Sequence, residues 1–224
     1  MTIDIALLGY EGLTLLDLTG PFEVLHAIPG ARLRLVAKHR EPFASDTGLQ
    51  VVPTATYAEV SRTDVLCVPG GAGQIDLMQD QATMDWLRAV AGEARYVTSV
   101  CTGAFLLAGA GLLRGYRATT HWASLPLLAS YGATPVEERV VVDRNRITGA
   151  GVTAGLDLAF HLAELLSSRA TAEAIQLGLE YDPDPPFRAG HPRIASAATV
   201  ELVRKRFADR IARRTAQAQR LSGR

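Results

Sequence analysis

Cys101 is the residue of this chain with the most chemistry in its position. It follows a β-prone run, Tyr96 to Val100, and precedes a helical run, Gly103 to Leu113. A side chain at so sharp a strand-to-helix turn projects into open space. It also stands at a helix N-terminus, where unpaired N–H groups and the macrodipole favour a thiolate. The same geometry carries serine in the nucleophile elbows of hydrolases. Position and residue type together predict nucleophilic catalysis. Cys67 makes the contrast, because it lies inside the continuous apolar run Val65-Leu-Cys-Val68 and reads as core.

A nucleophile needs a proton partner, and the sequence offers two. Asp17 stands between leucines in an apolar stretch. It reads either as an N-cap for a helix containing Phe22 to Leu25 or as a desolvated carboxyl able to exchange a proton near neutrality. If it meets Cys101, the two share one proton. His121, in Thr119-Thr-His-Trp122, reads either as half of a Cys-His pair or as a pocket-lining imidazole. Glu11 is a weaker rival to Asp17. Gly70 and Gly71 let backbone N–H groups approach a substrate and stabilise negative charge on an adduct, and Gly151 and Val152 offer amides from a further helix start. No cluster of ligands has metal-binding spacing.

These residues need a scaffold that brings them to one edge. Strand-like and helix-like periodicities alternate along the chain. The runs are Ile3 to Leu8, Leu15 to Ile28, Arg32 to Ala37, Asp64 to Pro69, Met78 to Ala91, Tyr96 to Val100 and the helix after Cys101. Trp122 to Tyr131 reads as helical, Glu138 to Asp143 and Ile147-Thr148 as a hairpin, and Leu156 to Leu166 as a buried helix. This βα alternation predicts a mostly parallel sheet covered on both faces. Ligands then bind beyond the carboxyl ends of the strands, where 9–21, 69–73, 101–103 and 148–152 all fall. Residues 182–193 carry four prolines and exclude helix and central strand. A last helix, 195–221, has Val200, Val203, Phe207 and Ile211 on one face. Arg204, Lys205, Arg210, Arg213 and Arg214 are expected on the opposite, solvated face.

Composition bounds the function classes. With 224 residues the whole of 1–224 is expected to be one domain around one core. Lys+Arg and Asp+Glu both number 23, so no net field recruits nucleic acid or an anionic membrane. No segment has 18 uninterrupted apolar residues, the N-terminus lacks a basic signal region, and two unlike cysteines make no disulfide framework. A cytoplasmic protein acting on a small molecule is the expectation.

Val68-Pro-Gly-Gly71, Ser99-Val-Cys-Thr-Gly103 and Thr120-His-Trp122 together resemble the ThiJ/PfpI superfamily. Leu16-Asp-Leu-Thr-Gly-Pro-Phe-Glu23 and Gln176 to Phe187 resemble its isocyanide hydratase subfamily. The resemblance implies a flavodoxin-like fold with Cys101 at the elbow and a homodimer with its sites near the interface. It also implies hydration of R–N≡C to an N-formamide through a Cys101 thioimidate, with Asp17 as acid and base. Thr102 positions substrate or water in this scheme, and no cofactor is required. Protease, glyoxalase and deglycase branches carry a glutamate in the first βα region or a histidine after the cysteine. Asp17 and Thr102 stand there instead. A glyoxalase- or deglycase-like stress protein and a non-catalytic small-molecule or redox-sensing module remain the alternatives. The regulator branch of the superfamily carries a further helix-turn-helix domain, whereas one helix follows residue 195.

Overall fold

The computed structural model describes residues 2–222, so Met1, Gly223 and Arg224, the ends of the expected 1–224 domain, lie outside the described residues. The chain builds a seven-stranded sheet. Its strands are β1 (Ile3–Leu8), β2 (Ala31–Ala37), β5 (Ala55–Thr56), β6 (Val65–Val68), β7 (Tyr96–Val100), β10 (Val140–Asp143) and β11 (Arg146–Gly149). Two short ribbons lie outside it: β3 (Phe43–Ala44) with β4 (Gln50–Val51), and β8 (Arg117–Ala118) with β9 (Thr134–Pro135). The order is β10-β11-β7-β6-β1-β2-β5, and every pair is parallel except the β10–β11 hairpin. This is the flavodoxin-like arrangement. All four residues of β6 are buried, as expected for a central parallel strand covered on both faces.

Helices flank the sheet: α1 (Leu15–His26), α2 (Gln74–Leu77), α3 (Gln81–Glu93), α4 (Gly103–Gly109), α5 (Ala154–Leu166), α6 (Arg169–Gly178) and α7 (Ala197–Ser222). Helix α1 packs with α5 and α5 with α6, while α4 packs with α2 and α3. The expected helix near 78–91 is α3, which starts only at Gln81, because Asp80 caps it by accepting from the Thr83 N–H at 2.8 Å, and α2 precedes it as a separate turn. The helix after Cys101 ends at Gly109, short of Leu113, as the chain passes to Gly111 at φ +80°. Trp122–Tyr131 is helical but 3₁₀, with Pro126 inside it.

Register decides where the site lies. Val68 pairs with Ser99, Ser99 with Thr148, and Val100 with Gly149, while Leu7 pairs with Cys67 on the other side. The carboxyl ends of β1, β6, β7 and β11 are therefore level, and the segments after them meet at one edge. The backbone stitches these segments together. The Thr14 N–H donates to the Gly70 carbonyl at 2.9 Å, the Gly73 N–H to that of Gly12 at 3.1 Å, and the Cys101 N–H to that of Gly149 at 3.0 Å.

Candidate active site

Cys101 has φ +53°, a left-handed conformation that costs a non-glycine residue energy and persists only where its surroundings enforce it. Two bonds enforce it here. Its N–H is held by Gly149, and its carbonyl accepts from the Thr120 hydroxyl at 2.7 Å. Gly103 must follow closely, since a Cβ there would collide with the Val68 carbonyl. The elbow therefore aims the Cys101 sulfur beyond the ends of β6 and β7, into a site where the side chain is only 6% exposed.

Asp17 lies in the first turn of α1, but Thr14 occupies the cap position. The helix-cap reading of Asp17 is thereby removed, because its carboxylate turns inward. Oδ2 accepts from the Gly70 N–H at 2.9 Å, and Oδ1 is buried with no conventional partner among the described residues. The carboxyl and the Cys101 thiol each shift the proton affinity of the other. Burial lifts Asp17 to about 7, against the pull of the Gly70 N–H and the Cys101 thiol. The thiol is pushed well above its usual value, first by burial and then by the Asp17 charge. The Thr102 N–H and Arg214 pull the other way. Desolvation thus outweighs the helix N-terminus, and near neutrality a carboxyl about half protonated stands beside a thiol.

Gly70 and Gly71 are at the site, but their amides do not face a substrate. The Gly70 N–H is taken by Asp17, and that of Gly71 by the Thr102 hydroxyl at 3.0 Å. The donors expected to stabilise an adduct instead fix the Asp17 and Thr102 side chains. Glycine is needed at 70 because a Cβ would stand 2.5 Å from the Thr102 nitrogen and 2.9 Å from Asp17 Oδ2. No hydrogen bond engages the Gly151 and Val152 amides among the described residues. His121 borders them, with Cδ2 3.7 Å from the position of a Gly151 Cβ. Burial, and then Arg214, lower His121 to about 4. A neutral imidazole that accepts from the Ala123 N–H at 3.4 Å and stands edge-on to Phe207 lines the site. Glu11 instead accepts from the Ala44 N–H at 2.9 Å on an exposed loop.

Three further residues reach the site. Tyr10 donates to the Pro69 carbonyl at 2.9 Å, and burial and the Asp17 charge raise its phenol well above its usual value. Thr120 braces the elbow. Arg214, expected on a solvated face, is 7% exposed and contacts Gln74 and Ser124. The apolar spacing carried the missing signal. Extended from Phe207 and Ile211, the same stripe reaches Arg214 and then Ala218, which is 1% exposed.

Residues 4–165 match the DJ-1/PfpI family. The chain is 49% identical to the isonitrile hydratase of Pseudomonas putida over 98% of its own length and 96% of that protein's. It is 33% identical to the HTH-type transcriptional regulator GbdR of Pseudomonas aeruginosa, over 76% of this chain and 48% of the regulator. Among solved structures, a THiJ/PfpI family protein from Pseudomonas syringae superposes with a TM-score of 0.95. It shares 42% identity, across 100% of this chain and 92% of that one.

Proposed function

The chain belongs to the DJ-1/PfpI family, and we propose that it is an isocyanide hydratase, converting R–N≡C and water to the N-formamide R–NH–CHO. The observation that carries this reading is the buried pair of Cys101 and Asp17, in a chain similar over nearly its whole length to the Pseudomonas putida enzyme. As sulfur attacks the terminal carbon, the thiol proton passes to Asp17. The carboxylic acid returns that proton to the same carbon, giving the thioimidate R–N=CH–S–Cys101. Water then adds to the thioimidate carbon while Asp17 takes one of its protons and passes it to nitrogen. Collapse of the adduct breaks the C–S bond, releases formamide and returns a proton to sulfur. A carboxyl held at about 7 suits both acid and base duty near neutrality.

The other site residues support these steps. The Thr102 hydroxyl and amide order the Gly71 loop and the sulfur, and the Gly151 and Val152 amides are donors for substrate or water. No step in this scheme calls for a cofactor. A thiol that is nearly enclosed suits an isocyanide, whose reacting end is one narrow, unsubstituted carbon. Likeness to a regulator favours a second reading, a ligand-sensing module that binds without turnover. We further propose a homodimer that works in the reducing cytoplasm, where Cys101 stays a thiol. No helix among the described residues is long and apolar enough to cross a membrane.

The test incubates purified protein with an alkyl isocyanide and follows formamide by mass spectrometry, with Cys101→Ser as control and methylglyoxal consumption measured in parallel. Turnover lost in Cys101→Ser is expected. Absence of formamide from the wild type, or undiminished formation in the variant, overturns the reading. A higher specificity constant for methylglyoxal replaces it with the glyoxalase one.

A further inference from the structure

Helix α7 sends one cation inward. Arg214 is 7% exposed, with Nε donating to Gln74 Oε1 at 3.0 Å and Nη1 reaching Ser124 Oγ at 3.5 Å. Both partners are fully enclosed and neutral, Gln74 at 0% and Ser124 at 1% exposure. Gln74 follows the Gly70-Gly71 loop and Ser124 follows His121, so the guanidinium bolts α7 to two segments that border the site. No carboxylate pairs with it among the described residues, whereas its neighbour Arg213 pairs with Asp76 on the surface. A guanidinium does not shed its proton in a protein, and a buried cation with only neutral partners is costly unless a negative charge lies within reach.

We propose that Arg214 is the counter-charge of the Cys101–Asp17 pair, a positioning residue that favours the state with the negative charge on sulfur. The inference rests on the reading of Cys101 and Asp17 as the reacting pair. Several charged and titratable groups are coupled to that pair or to Arg214. They are Asp17 on α1, Tyr10 after β1, Asp46 between β3 and β4, His121 before the 3₁₀ segment, and Arg210 and Arg213 beside Arg214 on α7. Asp17 raises the thiol, and Arg214 is the side-chain charge that lowers it. Burial, and then Arg214, keep His121 neutral, so the imidazole does not compete for the proton. In the proposed reaction the attacking sulfur is most anionic just before the C–S bond forms. A fixed cation nearby lowers the energy of that moment without itself exchanging a proton.

The experiment measures Cys101 alkylation by iodoacetamide against pH, read site-specifically by mass spectrometry so that Cys67 does not interfere. In Arg214→Gln the midpoint is expected to rise by about one unit, a roughly tenfold slower alkylation at neutral pH. In Arg214→Lys, which restores a charge, most of that shift is expected to disappear. Formamide turnover should fall in Arg214→Gln through kcat more than KM. Arg214→Met, which keeps the stem and drops the charge, replaces the glutamine variant if that one is unfolded by circular dichroism. A midpoint unchanged in the folded neutral variant overturns the proposal. So does a lysine variant that matches the neutral one, because packing alone then accounts for Arg214. Alkylation is read without turnover, so a wild type that makes no formamide removes the hydratase reading and leaves this test intact.

Discussion

Replacing Asp17 by asparagine separates its chemistry from its cost to the fold. Burial raises the carboxyl from 3.8 to about 7, roughly 3 pH units at about 1.4 kcal/mol each, or about 4 kcal/mol against the ionised form. The folded state holds the proton more tightly than the unfolded chain. Stability from this group is therefore full below the unfolded value near 3.8 and is lost as pH rises through about 7. Asparagine does not ionise and keeps an oxygen for the Gly70 N–H. Its NH₂, placed where Oδ1 lacks a partner, adds a penalty of about 1–3 kcal/mol that does not vary with pH. The stability of Asp17→Asn relative to wild type should thus improve by about 4 kcal/mol between pH 4 and pH 8. At about 2–4 °C per kcal/mol for a chain of this size, the difference in Tm should move by about 10 °C. Formamide turnover should fall by about 10²–10⁴-fold, the worth of a positioned acid–base group. Thermal unfolding of both proteins across that range, with turnover at neutral pH, makes the test. A difference in Tm that stays flat with pH refutes the desolvated carboxyl, and near-native turnover refutes its role in proton transfer.

Two further substitutions probe how the loops hold the pair. Gly70→Ala places a methyl against the Thr102 nitrogen and Asp17 Oδ2, so it should destabilise by about 1–3 kcal/mol and depress turnover, checked by urea unfolding and kinetics. Thr102→Val leaves the buried Gly71 N–H without its acceptor, at a cost of about 1–3 kcal/mol. Thr102→Ser should restore most of that stability in the same unfolding measurement.

The fold was legible because its strands differ in kind from their surroundings. Val65–Val68 is uniformly apolar, and Tyr96–Val100 runs straight into a helix, so a parallel sheet and an elbow at Cys101 followed from periodicity. The βα alternation also placed the loops after β1, β6, β7 and β11 on one edge before any distance was known. Hydrogen-bond direction was harder to read. Gly70 and Gly71 look the same in sequence whether their amides face a substrate or a side chain 53 or 31 residues away. The charge of Arg214 points to solvent, whereas its spacing from Phe207 and Ile211 puts it on the apolar face. The protonation of Cys101 is not legible in sequence either, since the depth of burial that outweighs the helix terminus is a tertiary quantity.

The arrangement of donors bears on which electrophile this site fits. Hydrolysis of an amide stabilises an oxyanion on one atom and protonates a leaving group on another, which calls for free amides around the carbonyl oxygen. Here two of the amides at the site are already committed, one to Asp17 and one to Thr102. What the site offers is a nucleophile and a proton donor side by side in an enclosed space. Addition to an isocyanide needs that pairing, because the terminal carbon receives both sulfur and hydrogen and no oxyanion forms in the first step. Committing the glycine amides to the two side chains gives up stabilisation that amide hydrolysis requires and isocyanide addition does not. In return, Asp17 is held against Cys101 at the elbow, where one proton can leave sulfur and return to the carbon that sulfur has just attacked.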